Sequence, residues 1–338
     1  MNKETENGVF IIAELSANHN NDLDLAVRTI EAAAKSGADA IKVQTYTADS
    51  LTLNVNNDIF GPRKDGLWKG RTLYELFTEG SLPYEWHPVL KEKTEELGMI
   101  FFSSPFDKAG VDFLESLDVQ LYKIASPEIT DIPLIEYVAS KNKPVIISTG
   151  MASLADIELA VNTCRKMGNE DITLLKCTSE YPAVPDMANL KTIPNLKTTF
   201  NVKVGLSDHT MGATVPIVSV ALGARVIEKH FIMDRGLGGV DSAFSMNPDE
   251  FKEMVSAVRD AEKCLGEIDY SLTERNKLRR RSLFLSKDVK AGDLVTEENL
   301  RSVRPGYGLH PKYLNDVLGR KLNNSYNAGT ALTWAMLC

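Results

Sequence analysis

Short apolar runs that close on polar residues recur along the chain. They are VFIIAELS from Val9, ADAIKVQTY from Ala38, GMIFFSSPF from Gly98, LYKIAS from Leu121, PVIISTG from Pro144, ITLLKCTS from Ile172, KVGLSDH from Lys203 and RVIEKHF from Arg225. Between them lie stretches with helical spacing, such as LDLAVRTIEAAAKSG, WHPVLKEKTEELG, DKAGVDFLESL and SLADIELAVNTCRKMG, and DEFKEMVSAVRDAEKCLGE follows the last. A strand followed by a crossover helix, repeated, implies a parallel sheet. Eight such units in about 260 residues is the rhythm of a TIM (β/α)8 barrel, whose chemistry gathers where the strands end. The open doubly wound rival is disfavoured, because no GxGxxG follows the first strand.

The pattern stops after residue 265, so residues 1–265 are assigned to the barrel. Residues 266–281, GEIDYSLTERNKLRRR, read as an exposed linker whose three successive arginines are solvated. Residues 282–338 form a small second domain of short strands and turns. It carries a weak internal echo, DVKAGDLVT from Asp288 and SYNAGTALT from Ser325, with AG at the same offset. At roughly 60 residues it is expected to bury little core of its own and to dock on a neighbour. The insertion from Thr47 to Trp86 reads as one long irregular loop; its Trp, Arg and Tyr favour a functional role.

Composition narrows the classes of function. Lys plus Arg total 38 against 46 Asp plus Glu, a formal net charge of -8. That balance argues against nucleic acid or an anionic membrane as the main partner, so an anionic substrate needs a local basic pocket. The four cysteines show no CxxC spacing, which suggests neither a disulfide framework nor a cysteine zinc site. The polar start and the lack of a long apolar run lead us to expect a cytoplasmic protein.

In a barrel, the polar residues that close the strands converge on one mouth: Glu14, Lys42, Gln44, Ser103, Ser104, Lys123, Ser126, Glu128, Tyr181, Ser207, His209 and His230. Charged groups inside apolar strands are costly unless paired or used, so Glu14, Lys42, Lys123 and Glu228 each want a partner or a ligand. His209 and His230 end consecutive strands, and two neutral imidazoles side by side suit a divalent ion with positions open to water and substrate. His19, His87 and His310 lack such placement, and His87, within a helical pattern, is read as structural. The lysines and serines have the character of an anion cradle for a phosphate and a carboxylate. These residues alone point to metal-assisted chemistry on a phosphorylated or carboxylated small molecule and leave the reaction open, including a metal-dependent barrel isomerase or hydrolase.

The strings IIAELSANHN, YKIAS followed by PEITDIPLIEYVAS, KPVIISTGM, GLSDHT, EKHF and SVRPGYG resemble the sialic acid synthase family along essentially the whole chain. Those enzymes condense phosphoenolpyruvate with an amino-sugar aldehyde. The resemblance implies a TIM barrel followed by an antifreeze-like (SAF) domain, and a homodimer in which that domain is swapped to cap the partner's barrel. It implies that His209 and His230 hold a divalent metal, Mn2+ with Mg2+ or Co2+ as alternatives. Lys42, Ser104, Lys123, Ser126 and Ser207 would hold phosphoenolpyruvate, with Glu14 near the metal and its water. Gln44, Glu128, Tyr181 and Asp241 would contact the sugar, and Arg304 would reach in from the small domain. Glu14, Lys123, His209 and His230 form the implied catalytic set.

Two departures bear on the sugar. Ser179 stands where sialic acid synthases proper carry Asn in CTNxYP. SANHN and the insertion's GLWKGRTLYELF resemble the subfamily that makes pseudaminic acid from a 6-deoxy sugar bearing two acetamido groups, 2,4-diacetamido-2,4,6-trideoxy-altrose. N-acetylneuraminate or legionaminic acid synthesis is the alternative within the family. Trp68, Leu73 or Tyr74 would give that sugar's methyl an apolar surface.

Overall fold

A computed structural model describes residues 8–66, 68–180 and 183–338. Two compact units divide the chain between Gly266 and Glu267.

In the first unit, eight parallel strands close into a barrel in sequence order. They are β1 (Phe10–Glu14), β2 (Ala40–Thr45), β3 (Ile100–Pro105), β4 (Tyr122–Ile124), β5 (Val145–Ser148), β6 (Ile172–Cys177), β7 (Lys203–Asp208) and β8 (Val226–His230). Alternate residues of a strand point to opposite faces. One set, including Phe10, Ile12, Ala40, Phe102, Ile146, Leu175 and Val226, forms an apolar cluster of its own within the barrel. The other set, including Ile11, Ile41, Phe101, Ile147 and Ile227, packs with helix residues such as Ile30, Val161 and Phe251. The lumen beyond the inner cluster, at the strands' C-terminal ends, is the polar zone.

The helices are set by local signals. Asp22 accepts from Leu25 N at 3.0 Å and caps the helix Leu23–Lys35. Asn247 and Glu250 form a capping box that starts Pro248–Leu265 after β8. Satisfying the first unpaired N–H groups in this way fixes where a helix begins.

The insertion differs from the irregular loop expected of it. It contains the short helix Ala48–Leu51 and the helix Leu73–Gly80, the latter begun by a capping box between Thr72 and Glu75. His19, in SANHN, reaches the Gly80 carbonyl at 3.3 Å and ties this helix to the end of β1. Asn18 donates to the Phe231 carbonyl at 3.0 Å and to Ser245 Oγ at 2.8 Å, which ties the same turn to β8.

In the second unit, residues 267–281 are exposed and include one short helix, Glu274–Leu278. Arg281 donates to the Ser302 carbonyl and Arg280 faces His310. β9 (Ser282–Leu285) and β10 (Leu300–Val303) pair antiparallel. The sequence echo is a structural repeat. Leu285 pairs with Leu300 as Leu322 pairs with Leu337, and Phe284 pairs with Ala331 as Lys321 pairs with Leu294. Gly292 N donates to the Leu322 carbonyl and Gly329 N to the Leu285 carbonyl, both at 2.8 Å. Both glycines have φ of 88°, a backbone conformation that other residues rarely adopt. Contrary to expectation, this unit has its own core, made by Leu283, Leu285, Val295, Val317, Leu322 and Leu332 among others.

Candidate active site

Four buried charges occupy the lumen. Glu14 Oε2 lies 2.7 Å from Lys42 Nζ, and Glu228 Oε1 lies 3.6 Å from Lys42 Nζ and 3.7 Å from Lys123 Nζ. All four side chains are at most 6% exposed. Two lysines and two glutamates are formally neutral together, which is how charge survives in a low-dielectric interior. Burial raises the Glu14 carboxyl above its ordinary value, with Lys42 and the Gln44 amide opposing. Burial lowers the Lys123 ammonium, and Glu228 opposes that. Glu228 itself stays low despite burial, because Lys123 and Lys42 flank it.

Around the tetrad lie buried polar atoms with unused valence. The hydroxyls of Ser104 and Ser148 have no hydrogen-bond partner. Unpaired polar groups in a dry site are expensive, and a ligand bearing several oxygens relieves them. Ser207 Oγ donates to Glu228 Oε1 at 3.3 Å, and Ser126 Oγ accepts from Gly150 N at 3.1 Å. Gly150 is required here, because a Cβ would collide with the Ser179 hydroxyl and crowd Ser126 and Cys177. The Ser179 hydroxyl is thus directed toward Gly150, 3.7 Å from Cys177 Sγ.

His209 and His230 stand side by side, ring centroids 5.1 Å apart, against the Phe244 ring. His209 Nδ1 faces the Thr178 carbonyl at 2.9 Å, which favours a proton on that nitrogen and a lone pair on the other. His230 Nδ1 is buried without a partner. Burial, reinforced by His209 and the lysines, holds the His230 pKa well below its ordinary value and keeps the ring neutral. Burial works against charge on His209, but its hydrogen bond with Cys177 and the Thr178 carbonyl outweigh this and raise its pKa above the ordinary value. The unpartnered nitrogen of neutral His230 fits a divalent cation, and His209 would join it in place of a proton. No cluster of three or more His, Cys, Asp or Glu suited to a metal occurs among the described residues, so such an ion would keep coordination positions for water and substrate.

Beside His230 opens a cavity of about 270 Å³ with a polar end and an apolar end. Ser16, Gln44 and Asp241 line the polar end. Gln44 Nε2 donates to Glu14 Oε1 at 2.9 Å and to Ser16 Oγ at 3.1 Å, and Ser16 Oγ donates to Asp241. Burial raises the Asp241 carboxyl, with the Ser16 hydroxyl opposing. At the apolar end, Tyr46 packs edge-on against Phe77 and Phe106, centroids 5.9 and 5.3 Å away, with Leu73, Leu76 and Trp68 completing the wall. Trp68 Nε1 donates to the Val240 carbonyl at 3.2 Å and joins the insertion to the loop after β8. Tyr74 is not part of this wall; its hydroxyl meets Asp49.

The structure brings together Glu14, Lys42, Gln44, Ser104, Lys123, Ser126, Ser207, His209, His230 and Asp241 at one mouth. Glu128, in the turn after β4, is partly buried; its Oε2 has no partner, and burial pushes its pKa to about 7. Ser103 faces away from the lumen, bonded to Thr45 Oγ1 at 2.6 Å, and Thr45 continues to His87 at 2.8 Å. His87 therefore has a structural role, as its helical context suggested. Tyr181 lies outside the described residues. Arg304 is exposed in the second unit, just after β10. Sequence reasoning passed over Ser148, although a serine closing the run PVIIS was a visible signal, and it gave Glu228 no place in the site despite its mid-strand charge.

A closed parallel barrel with a buried tetrad of two lysines and two glutamates and a histidine pair at its C-terminal mouth is the architecture of a barrel enzyme suited to a small anionic substrate. Residues 29–270 match the NeuB family and residues 280–337 match the SAF domain. The chain is 48% identical over 334 residues to pseudaminic acid synthase of Campylobacter jejuni subsp. jejuni, covering 98% of this chain and 97% of that one. It is 41% identical over 333 residues to N,N'-diacetyllegionaminic acid synthase of Legionella pneumophila, covering 96% and 93%. The structure of N-acetylneuraminic acid synthetase from Leptospira borgpetersenii, in complex with citrate, is similar at a TM-score of 0.71 and 35% identity, covering 80% of this chain and 90% of that one. The chain belongs to the NeuB family of sialic acid synthases. It is a phosphoenolpyruvate-dependent synthase that forms a carbon–carbon bond in making a nonulosonic acid, and enzymes of this family generally use a divalent metal. No helix among the described residues is long and apolar enough to cross a membrane.

Proposed function

We propose that the protein condenses phosphoenolpyruvate with 2,4-diacetamido-2,4,6-trideoxy-altrose to give pseudaminic acid and phosphate. The observation that carries this choice of sugar is the cavity beside His230. Its polar end suits hydroxyl and amide groups, while the aromatic wall of Tyr46, Phe77 and Phe106 suits a methyl where N-acetylmannosamine presents a hydroxyl. The names of the Campylobacter relatives support the same choice.

In this reading Lys42 and Lys123, with Ser104, Ser126, Ser148 and Ser207, hold the phosphate and carboxylate of phosphoenolpyruvate. Gln44, Glu128, Asp241 and Tyr181 orient the sugar. Carbon 3 of phosphoenolpyruvate attacks the aldehyde carbon, and the aldehyde oxygen takes up a proton. Water adds to the electron-poor carbon 2 and gives up its proton, and phosphate leaves by carbon–oxygen cleavage to form the ketone. Glu14 would orient and deprotonate that water; burial raises its pKa, against the opposing effect of Lys42 and Gln44, which supports a role as base. His209 and His230 would hold a divalent ion, Mn2+ in our proposal, whose Lewis acidity favours charge on the aldehyde oxygen. We further assign the working form to a homodimer in which Arg304 completes the site, an assignment resting on the family resemblance.

Competition kinetics tests the sugar. With phosphoenolpyruvate and Mn2+, kcat/KM for the altrose derivative should exceed that for N-acetylmannosamine by at least about 100-fold. Equal values would defeat the assignment and leave the synthase activity standing. A preference for a gluco- or manno-configured diacetamido sugar would signal legionaminic acid synthesis instead.

A further inference from the structure

On the outer face of the barrel, directly behind the two histidines, a second buried ion pair joins β7 to β8. Lys229 Nζ lies 2.5 Å from Asp208 Oδ2, with side chains 0% and 2% exposed. Ser207 and Glu228 meet in the lumen, so the alternation of a strand turns the next residues, Asp208 and Lys229, outward. The two are cross-strand partners in register. Thr210 closes the arrangement. Its N–H donates to Asp208 Oδ1 at 3.0 Å, its hydroxyl donates to the same carboxylate at 2.8 and 3.0 Å, and its carbonyl accepts from Lys229 Nζ.

Stability does not account for this pair. Taking both charges out of water costs several kcal/mol per ion, and a well-packed apolar pair often serves a fold equally well. What the pair does supply is geometry. Lys229, one residue before His230, grips the chain on both sides of His209, through the Asp208 carboxylate and the Thr210 carbonyl. Neither histidine can shift along its strand, or tilt away from the other, without breaking a bond in a place where water cannot replace it. On the lumen side His230 Nδ1 has no partner, whereas the ring of His209 is held by the Thr178 carbonyl and by a hydrogen bond with Cys177.

We propose that Asp208 and Lys229, with Thr210, are positioning residues that set the separation of His209 and His230 for a divalent cation. The proposal rests on the reading of those histidines as the metal-holding pair. It assigns a function to the residues that precede each histidine in GLSDHT and EKHF, residues that touch neither substrate nor metal.

The test is direct Mn2+ binding to the full chain without substrates, followed by electron paramagnetic resonance of the free ion. The variant Asp208→Asn with Lys229→Met removes both charges together and leaves neither stranded. It should weaken Mn2+ binding about 10- to 100-fold, the range found when groups supporting metal ligands are lost. A control, Asp39→Asn with Arg259→Met, removes the 2.7 Å ion pair between the start of β2 and the last barrel helix. It should lower the melting temperature and leave Mn2+ affinity unchanged. If the first variant does not fold, Thr210→Val, which loses only the hydroxyl, decides the matter with an expected weakening of about 3- to 10-fold. Unchanged Mn2+ affinity in a folded Asp208→Asn, Lys229→Met protein, or equal weakening in the control, would overturn the proposal. Wild-type Mn2+ affinity in His230→Ala would overturn the ligand reading itself, and the positioning role with it.

Discussion

Glu14 and Lys42 are cross-strand partners on β1 and β2 whose side chains meet at 2.7 Å inside the barrel, 0% and 4% exposed. Since the lysine already has a partner, an incoming phosphate or carboxylate must share or displace the glutamate. The raised pKa of Glu14 makes it a base made stronger by burial.

The first prediction follows from that competition. Removing a buried, charge-assisted contact costs roughly 1.5 to 3 kcal/mol, so Lys42→Ala and Lys123→Ala should each lose about 10- to 100-fold in kcat/KM. The loss should be the same with every sugar. Initial rates over a range of phosphoenolpyruvate concentrations check it, and unaltered saturation in both variants would place the anion elsewhere.

Chelation is expected to abolish turnover, and added Mn2+ to restore it in the wild type but not in His209→Ala or His230→Ala, each of which removes half of the protein's nitrogen donors. Product formation measured by phosphate release distinguishes these cases. Full activity of the double histidine variant in chelator would count against any metal at this pair.

Glu128 gives a pH dependence of stability. Burial chiefly pushes its pKa up to about 7 in the folded chain, from an ordinary value of 4.5. The folded state therefore binds the proton more tightly, and the contribution is complete below about pH 4.5 and is lost as pH rises through 7. Glu128→Gln should accordingly melt a few degrees above the wild type at pH 8, with a smaller gain at pH 5. Thermal melts at the two pH values check this; a difference independent of pH would mean that the carboxyl is solvated in the folded protein.

The aromatic wall makes a prediction about discrimination. A methyl-sized change in an apolar pocket is worth about 1 to 3 kcal/mol, so Phe77→Ala should reduce the preference for the 6-deoxy sugar roughly 10- to 100-fold. The phosphoenolpyruvate KM should stay near that of the wild type. Paired kinetics with both sugars is the measurement, and an intact preference would move the methyl to another surface.

Arg304 can be tested by complementation. Arg304→Ala and His209→Ala chains should each be nearly inactive alone, and mixing them should recover activity if the residue acts across a dimer. Absence of recovery, with subunit exchange demonstrated by mass spectrometry, would assign Arg304 to its own chain.

Much of the lumen was legible in the sequence because charge inside an apolar strand has few explanations. Lys42, Lys123 and Glu228 could be flagged from that cost alone, and the strand rhythm located the mouth. Parity was legible but needed the register: Ser103 and Ser104 are adjacent, and only the second enters the lumen. The helix Leu73–Gly80 was written in the capping pair Thr72 and Glu75, yet the surrounding polar residues concealed it. The cavity wall was beyond reach, since Tyr46 follows β2, Phe77 lies further on in the helix Leu73–Gly80 and Phe106 follows β3, and the three meet only in the folded chain. Helical phase likewise put Phe77 in the wall and Tyr74 outside it.

The repeat in the second unit carries a lesson about what counts as a foldable piece. Gly292 bonds to Leu322 and Gly329 to Leu285, so each half completes the backbone of the other. A peptide ending after β10 would present edges shaped to receive a copy of itself, and two such peptides could satisfy one another as the covalent halves do. The smallest self-sufficient object here is a pair, and the chain supplies both members on one thread.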